Sequence, residues 1–135
     1  MRKILLGLLF SLLMLGGITV YAESDGTYVY SITSNDTAMI TGVVDSAAFS
    51  GSQTIPEKIG KYTITKIAGF WWCTKLTDIS IPSSVTVIDK HTFYGCAELT
   101  NIIIPNSVTS IGESAFSGCS ALEEITLPFI GNSIT

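Results

Sequence analysis

Three cysteines, Cys73, Cys96 and Cys119, recur every 23 residues, and the surrounding chain recurs with them. Leu76, Leu99 and Leu122 keep the step, as do Ile79, Ile102 and Ile125, Pro82, Pro105 and Pro128, and Phe70, Phe93 and Phe116. Laying residues 73–95 over 96–118 gives 12 identities in 23 positions. A fixed period of this size marks a solenoid, in which each repeat is one coil that buries its apolar side only against its neighbours. No single residue constrains the fold as strongly.

Within a coil the order is L-x-x-I-x-I-P, then S-V-T-x-I, then a five-residue step to F-x-G-C. Ile79 and Ile81 are two apart, so Asp78–Ile81 reads as a short strand with alternate residues inward. Proline ends it, because it cannot donate to a ladder. Val85 to Ile88 reads as a second extended piece. Thr92-Phe93-Tyr94-Gly95 and Ala115-Phe116-Ser117-Gly118 read as single helical or 3₁₀ turns closed by glycine. The expectation is a mainly β solenoid of about three coils over residues 55–135. Its first coil is irregular: five residues are inserted around Lys58–Tyr62 and two are deleted between Ile67 and Phe70.

Residues 23–54 read differently. Thr27–Ile32 and Ala38–Val44 are rich in β-branched and aromatic residues and flank the turn cluster Ser34-Asn35-Asp36-Thr37. They predict a hairpin, which needs a surface to pack on, while a solenoid needs a cap on its first coil. Asp45 to Gln53 is small, polar and Ser/Gly-rich, and reads as a linker.

The runs Leu99–Gly112 and Ala115-Phe116-Ser117-Gly118-Cys119 closely resemble the repeat of BspA-like leucine-rich-repeat proteins of bacterial surfaces. The Ile40-Thr41-Gly42 turn and the tyrosine-rich hairpin resemble the segment often preceding such repeats. The resemblance implies a secreted or surface-displayed protein without catalytic activity, serving protein recognition or adhesion. The partner it implies is a host matrix protein or another cell-surface protein.

Residues 1–22 bear on the compartment. Arg2 and Lys3 precede an unbroken apolar and small-residue stretch from Ile4 to Val20, ending in Val20-Tyr21-Ala22. A basic start, an apolar run and a small-residue site make a secretory signal peptide, with cleavage expected after Ala22. Removing two of the 7 basic residues and none of the 11 acidic ones leaves 5 − 11 = −6. That balance argues against nucleic acid, whose binders need a basic patch, and against anionic lipid. Membrane association is expected only through an uncleaved signal. The cysteines, being copies of one repeat position, project in parallel and read as small buried apolar residues rather than a disulfide framework.

No residues combine into an expected catalytic, metal or cofactor site. The one histidine, His91, occupies an outward position and reads as a solvated surface residue. The acidic residues are scattered, without calcium-loop spacing. Three strand positions, Asp78, Asn101 and Glu124, should line one repeated surface and are candidates for partner binding. Trp71 and Trp72 form the second candidate. One of them replaces the turn glycine found in the other coils. They are expected to cover the shortened first coil or pack under the hairpin; if exposed, they suit a sugar ring or a protein anchor. Two further readings follow from the sequence. The chain could be a structural spacer or the N-terminal fragment of a larger surface protein, or a carbohydrate-binding module. The C-terminal run after Pro128 carries no recognisable polar cap, which predicts either a longer protein or self-association through that edge.

Overall fold

The computed structural model describes residues 10–15 and 18–127, with side chains from Ala22 onward. Two sheets face each other across one apolar column. The smaller holds β5 (Gly51–Thr54), β8 (Leu76–Ser80), β10 (Asn101–Ile103) and β12 (Glu124–Thr126), all parallel. The larger includes β4 (Thr37–Val43), β7 (Tyr62–Ile67), β9 (Val87–Ile88) and β11 (Ser110–Ile111), again parallel. The chain alternates between the sheets, so each traverse makes one coil. Four coils result, and no helix occurs among the described residues.

The register explains the 23-residue period. Ile79, Ile102 and Ile125 pair in line in the smaller sheet, and Ile40, Ile67, Ile88 and Ile111 do so in the larger. Adjacent strands lie ~4.8 Å apart, so each inward side chain touches its own copies above and below. Phenylalanine forms a third column. Phe93 stacks on Phe70 at 5.4 Å and on Phe116 at 5.6 Å. Hydroxyls repeat for a separate reason. Thr86, Thr109 and Thr100 donate to the carbonyls of Thr65, Thr86 and Thr77, each on the preceding coil. Ser107 does the same to Val85 at 2.7 Å, whereas its copy Ser84 has a buried hydroxyl without a partner. Ser84 faces the coil carrying the insertion.

That insertion folds locally. β6 (Lys58–Ile59) turns back on β7 as a tight antiparallel hairpin, with Lys58 opposite Thr63 and Ile59 opposite Tyr62. The deletion shortens the path from Ile67 to Phe70 and presses Gly69 onto the preceding coil, where a Cβ would overlap the Thr41 carbonyl. The F-x-G-C segments are single turns closed by bonds of the 3₁₀ spacing, too short to form a helix. Tyr94 N donates to His91 O and Cys96 N to Phe93 O, and glycine at positive φ stops propagation.

The hairpin is present as β3 (Tyr28–Ile32) with β4, antiparallel. Its role differs from a separate cap. β4 runs parallel to β7 with Ala38 opposite Ile64 and Ile40 opposite Ile67, so it is the first rung of the larger sheet. The segment expected to be a linker, Asp45–Gln53, contains Phe49 and most of β5, the first rung of the smaller sheet. Phe49 is buried 5.7 Å from Phe70 and lengthens the aromatic column, and Tyr28 packs against both. The apolar surface of the next coil is covered by Ala38, Ile40 and Phe49, all buried.

β1 (Phe10–Leu15) and β2 (Ile18–Ser24) continue the larger sheet beyond β3, with Ala22–Ser24 paired to Val29–Ser31. The expected cleavage point after Ala22 falls within β2. The expectation of an incomplete or self-associating C-terminus rests on residues 128–135, outside the described residues.

All three cysteines are free. Cys96 and Cys119 donate from Sγ to the carbonyls of Phe70 and Phe93 at 3.1 Å, so the thiol also ties one coil to the previous one. Hydrogen bonding with the Cys73 thiol and burial push the Cys96 thiol well above its ordinary pKa, and burial raises Cys119. Cys119 is only partly buried, unlike Cys73 and Cys96. Reagent must reach the sulfur, and Cys73 and Cys96 are fully buried, so native labelling should be slow, with the more accessible Cys119 reacting first. Denatured protein should label at three sites. Fast native labelling at Cys96, read by peptide mass, would contradict this packing.

Candidate functional site

The outward residues of the smaller sheet form two columns. One is Ser52, Asp78, Asn101 and Glu124; the other is Thr54, Ser80, Ile103 and Thr126. Alternation along each strand puts them there, since Ile79, Ile102 and Ile125 point inward. The three candidate positions Asp78, Asn101 and Glu124 are thus brought into one line. Asn101 separates the two carboxylates, which keeps like charges from facing each other directly. Thr77 Oγ1 donates to an Asp78 carboxylate oxygen at 2.8 Å and orients it. No lysine or arginine lies on these four strands.

Ile103 stands out on this face. It is 68% exposed, although it lies in the apolar run Ile102-Ile103-Ile104. Its copies are Ser80 and Thr126, which marks the position as outward. Beside it lies a shallow open depression of about 280 Å³, lined by Ser52, Asp78, Ser80, Asn101, Ile103 and Pro105 among others. The face therefore offers two carboxylates, small hydrogen-bonding groups and one apolar contact. It holds no nucleophile paired with a base. Among the described residues no group of three or more His, Cys, Asp and Glu is placed to hold a metal ion.

Trp71 and Trp72 lie elsewhere, on the turn leading into β8, and are 57% and 60% exposed. They do not pack under the hairpin. Trp72 has φ +58, the left-handed conformation that its copies Gly95 and Gly118 adopt freely. Its indole lies against Gly95 of the next coil, where a Cβ would meet the ring, and packs edge-on to Tyr94 at 5.5 Å. Tyr94 in turn packs edge-on to His91 at 5.8 Å. His91 is therefore half-buried in an aromatic row rather than a freely solvated side chain. Its φ of +56 is matched by Ser114 at +55, one coil on.

A left-handed non-glycine residue costs about 1–2 kcal/mol, and an edge-on aromatic pair contributes about 0.5–1.5 kcal/mol. The two nearly cancel at Trp72. Trp72→Gly should leave stability within about 1 kcal/mol, while Trp72→Ala keeps the strain, loses the ring and should be about 1 kcal/mol less stable than the glycine variant. Chemical denaturation of both variants checks this; equal stabilities would mean the backbone strain is absent.

Parallel short strands, one per 23 residues, stacked inward-to-inward with an outward strand face, define a leucine-rich-repeat solenoid. The chain belongs to the BspA type leucine-rich-repeat family, whose sequence profile matches residues 27–135. The match begins within the first hairpin, consistent with β4 and β5 as rungs of the stack. A leucine-rich repeat protein from Bacteroides ovatus ATCC 8483 is similar at 34% identity and a TM-score of 0.67, over 76% of this chain and 28% of that one. A leucine-rich repeat protein from Bacteroides capillosus ATCC 29799 shares the fold at 23% identity and a TM-score of 0.58, over 78% of this chain and 96% of that one. No curated protein matches the chain.

Proposed function

We propose that the chain is a secreted, non-catalytic recognition module that binds a protein partner through the outward face of β5, β8, β10 and β12. The observation that carries this reading is the pair of in-register columns, with Ile103 exposed between hydrogen-bonding groups. A stiff parallel sheet holds these groups at fixed spacing before any partner arrives, so little ordering entropy is lost on binding. Asp78 and Glu124, without a base beside them, suit a partner presenting lysine, arginine or backbone N–H groups. Ile103 supplies the apolar contact.

The apolar and basic pattern of residues 1–22 supports export, and a host matrix or cell-surface protein is then the partner class. Intact-mass analysis of protein recovered from the medium should give a chain beginning at Glu23; a mass retaining residues 1–22 would refute cleavage.

Binding to immobilised purified matrix and cell-surface proteins tests the recognition face. Binding to at least one of them should weaken about tenfold or more in Asp78→Lys/Glu124→Lys, and should weaken with added salt. Undiminished binding by that variant would overturn the assignment of the face. A second reading, a structural spacer, draws on the absence of aromatic and arginine side chains from these strands, the residues that usually dominate binding energy. It predicts no binding to any of these proteins.

A further inference from the structure

We propose that the aromatic row on the coil edge, built by Trp72, Tyr94 and His91, with Trp71 exposed beside it on the same turn, is a saccharide-binding site separate from the strand face. Three observations converge on it. Both indoles are more than half exposed, so each presents apolar ring surface to solvent. Trp72 is held rigidly, since its backbone N–H donates to Tyr94 O at 2.8 Å, its carbonyl accepts from Thr74 N at 2.8 Å and its ring rests on Gly95. It occupies a left-handed position where the repeat's own residue is glycine, so the indole is not what the coil needs in order to close. Backbone strain of this kind concentrates at functional sites.

Size and chemistry favour a sugar over a protein. Three aromatic side chains on one turn and its neighbour present far less than the ~800 Å² per partner of a stable protein interface. They are enough for one or two pyranose rings. The C–H face of a pyranose stacks on an indole, while the polar tips of the site, the indole N–H groups, the Tyr94 hydroxyl and the His91 ring nitrogens, match sugar hydroxyls at its edge. Few rotatable groups must be immobilised, which keeps the entropic cost low. The ligand class is a neutral oligosaccharide.

Isothermal titration calorimetry with cellohexaose, xylohexaose, mannohexaose, maltohexaose and chitohexaose tests this directly. At least one should bind saturably with a Kd of about 10 μM to 1 mM. The two tryptophans of the chain, Trp71 and Trp72, both lie on this turn, so the same titration should shift intrinsic fluorescence. Trp71→Ala and Trp72→Gly should each weaken binding about tenfold or more, while Asp78→Lys/Glu124→Lys should leave it unchanged. Trp72→Gly installs the residue of its own copies at a backbone conformation glycine adopts freely, so it should fold and carry the test even if Trp71→Ala does not. No saturable heat with any hexaose up to about 5 mM would overturn the proposal. So would sugar binding that survives Trp72→Gly, or sugar binding lost with the strand-face variant. A protein partner lost on Trp72→Gly, with no hexaose bound, would also overturn it. Protein recognition by the strand face stands or falls independently.

Discussion

Phe93→Ala should destabilise the chain by ~3–5 kcal/mol. Phe93 is fully buried in the third coil, and its ring is sandwiched between Phe70 and Phe116. Truncation removes the transfer energy of the ring and opens a cavity that the neighbouring coils cannot close, because hydrogen-bonded strands on both sides fix their spacing. In a solenoid the damage also spreads, since each coil is stabilised through its two interfaces. Ile103→Ala provides the comparison. Ile103 is as apolar as its neighbours but faces outward, so its loss should change stability by no more than about 0.5 kcal/mol. Urea denaturation of both variants reads the contrast. Similar losses would mean that the inward and outward assignments are wrong.

Gly69→Ala should be comparably severe, by about 3 kcal/mol or more. Gly69 has φ +77 and sits where the two-residue deletion pulls the chain against the first coil. A methyl group there would overlap the Thr41 carbonyl, which is backbone and cannot rotate away. Relief would require separating β4 from β7 and with it the Ala68 N–H to Ile40 carbonyl bond of 2.8 Å. Gly60 separates clash from conformational strain. It has φ +58 in the β6–β7 turn with open space around it, so Gly60→Ala should cost only about 1–2 kcal/mol. Thermal denaturation of the pair would show the difference; equal effects would mean that the first coil is not packed tightly on the second.

The regular coils were legible from the period because identical positions must stack on their copies. Ile79, Ile102 and Ile125 are one column in the structure for the same reason that they are 23 residues apart. The insertion and deletion were also visible as arithmetic. The first coil was not. Its inward residues Ala38 and Ile40 carry no flanking proline or cysteine, and the short polar residues of β5 read as a linker. One signal was available: Phe49-Ser50-Gly51, with Gly51 at φ +69, repeats the F-x-G of Phe93-Tyr94-Gly95 and Phe116-Ser117-Gly118. The insertion downstream of it breaks the period and hides the match.

The two candidate surfaces differed in the same way. Asp78, Asn101 and Glu124 share a repeat position, so their alignment followed from register alone. The direction of Trp71 and Trp72 did not, because it depends on the left-handed backbone at Trp72 and on the ring finding room over Gly95. Nothing in residue type specifies that a tryptophan will occupy a glycine conformation. The thiol hydrogen bonds to Phe70 and Phe93 carbonyls were hidden too, since cysteine at a core position reads simply as a small apolar residue.

The most direct measurement of the recognition face places a photoactivatable cross-linking side chain at position 103 in one preparation and at position 110 in another. Both positions are exposed, on the consecutive strands β10 and β11 of opposite sheets. The protein is mixed with the matrix or cell-surface protein that it binds and then irradiated. Cross-links from position 103 and none from position 110 are the predicted result. Cross-links from position 110 alone, or equally from both, would contradict recognition by the face of β5, β8, β10 and β12.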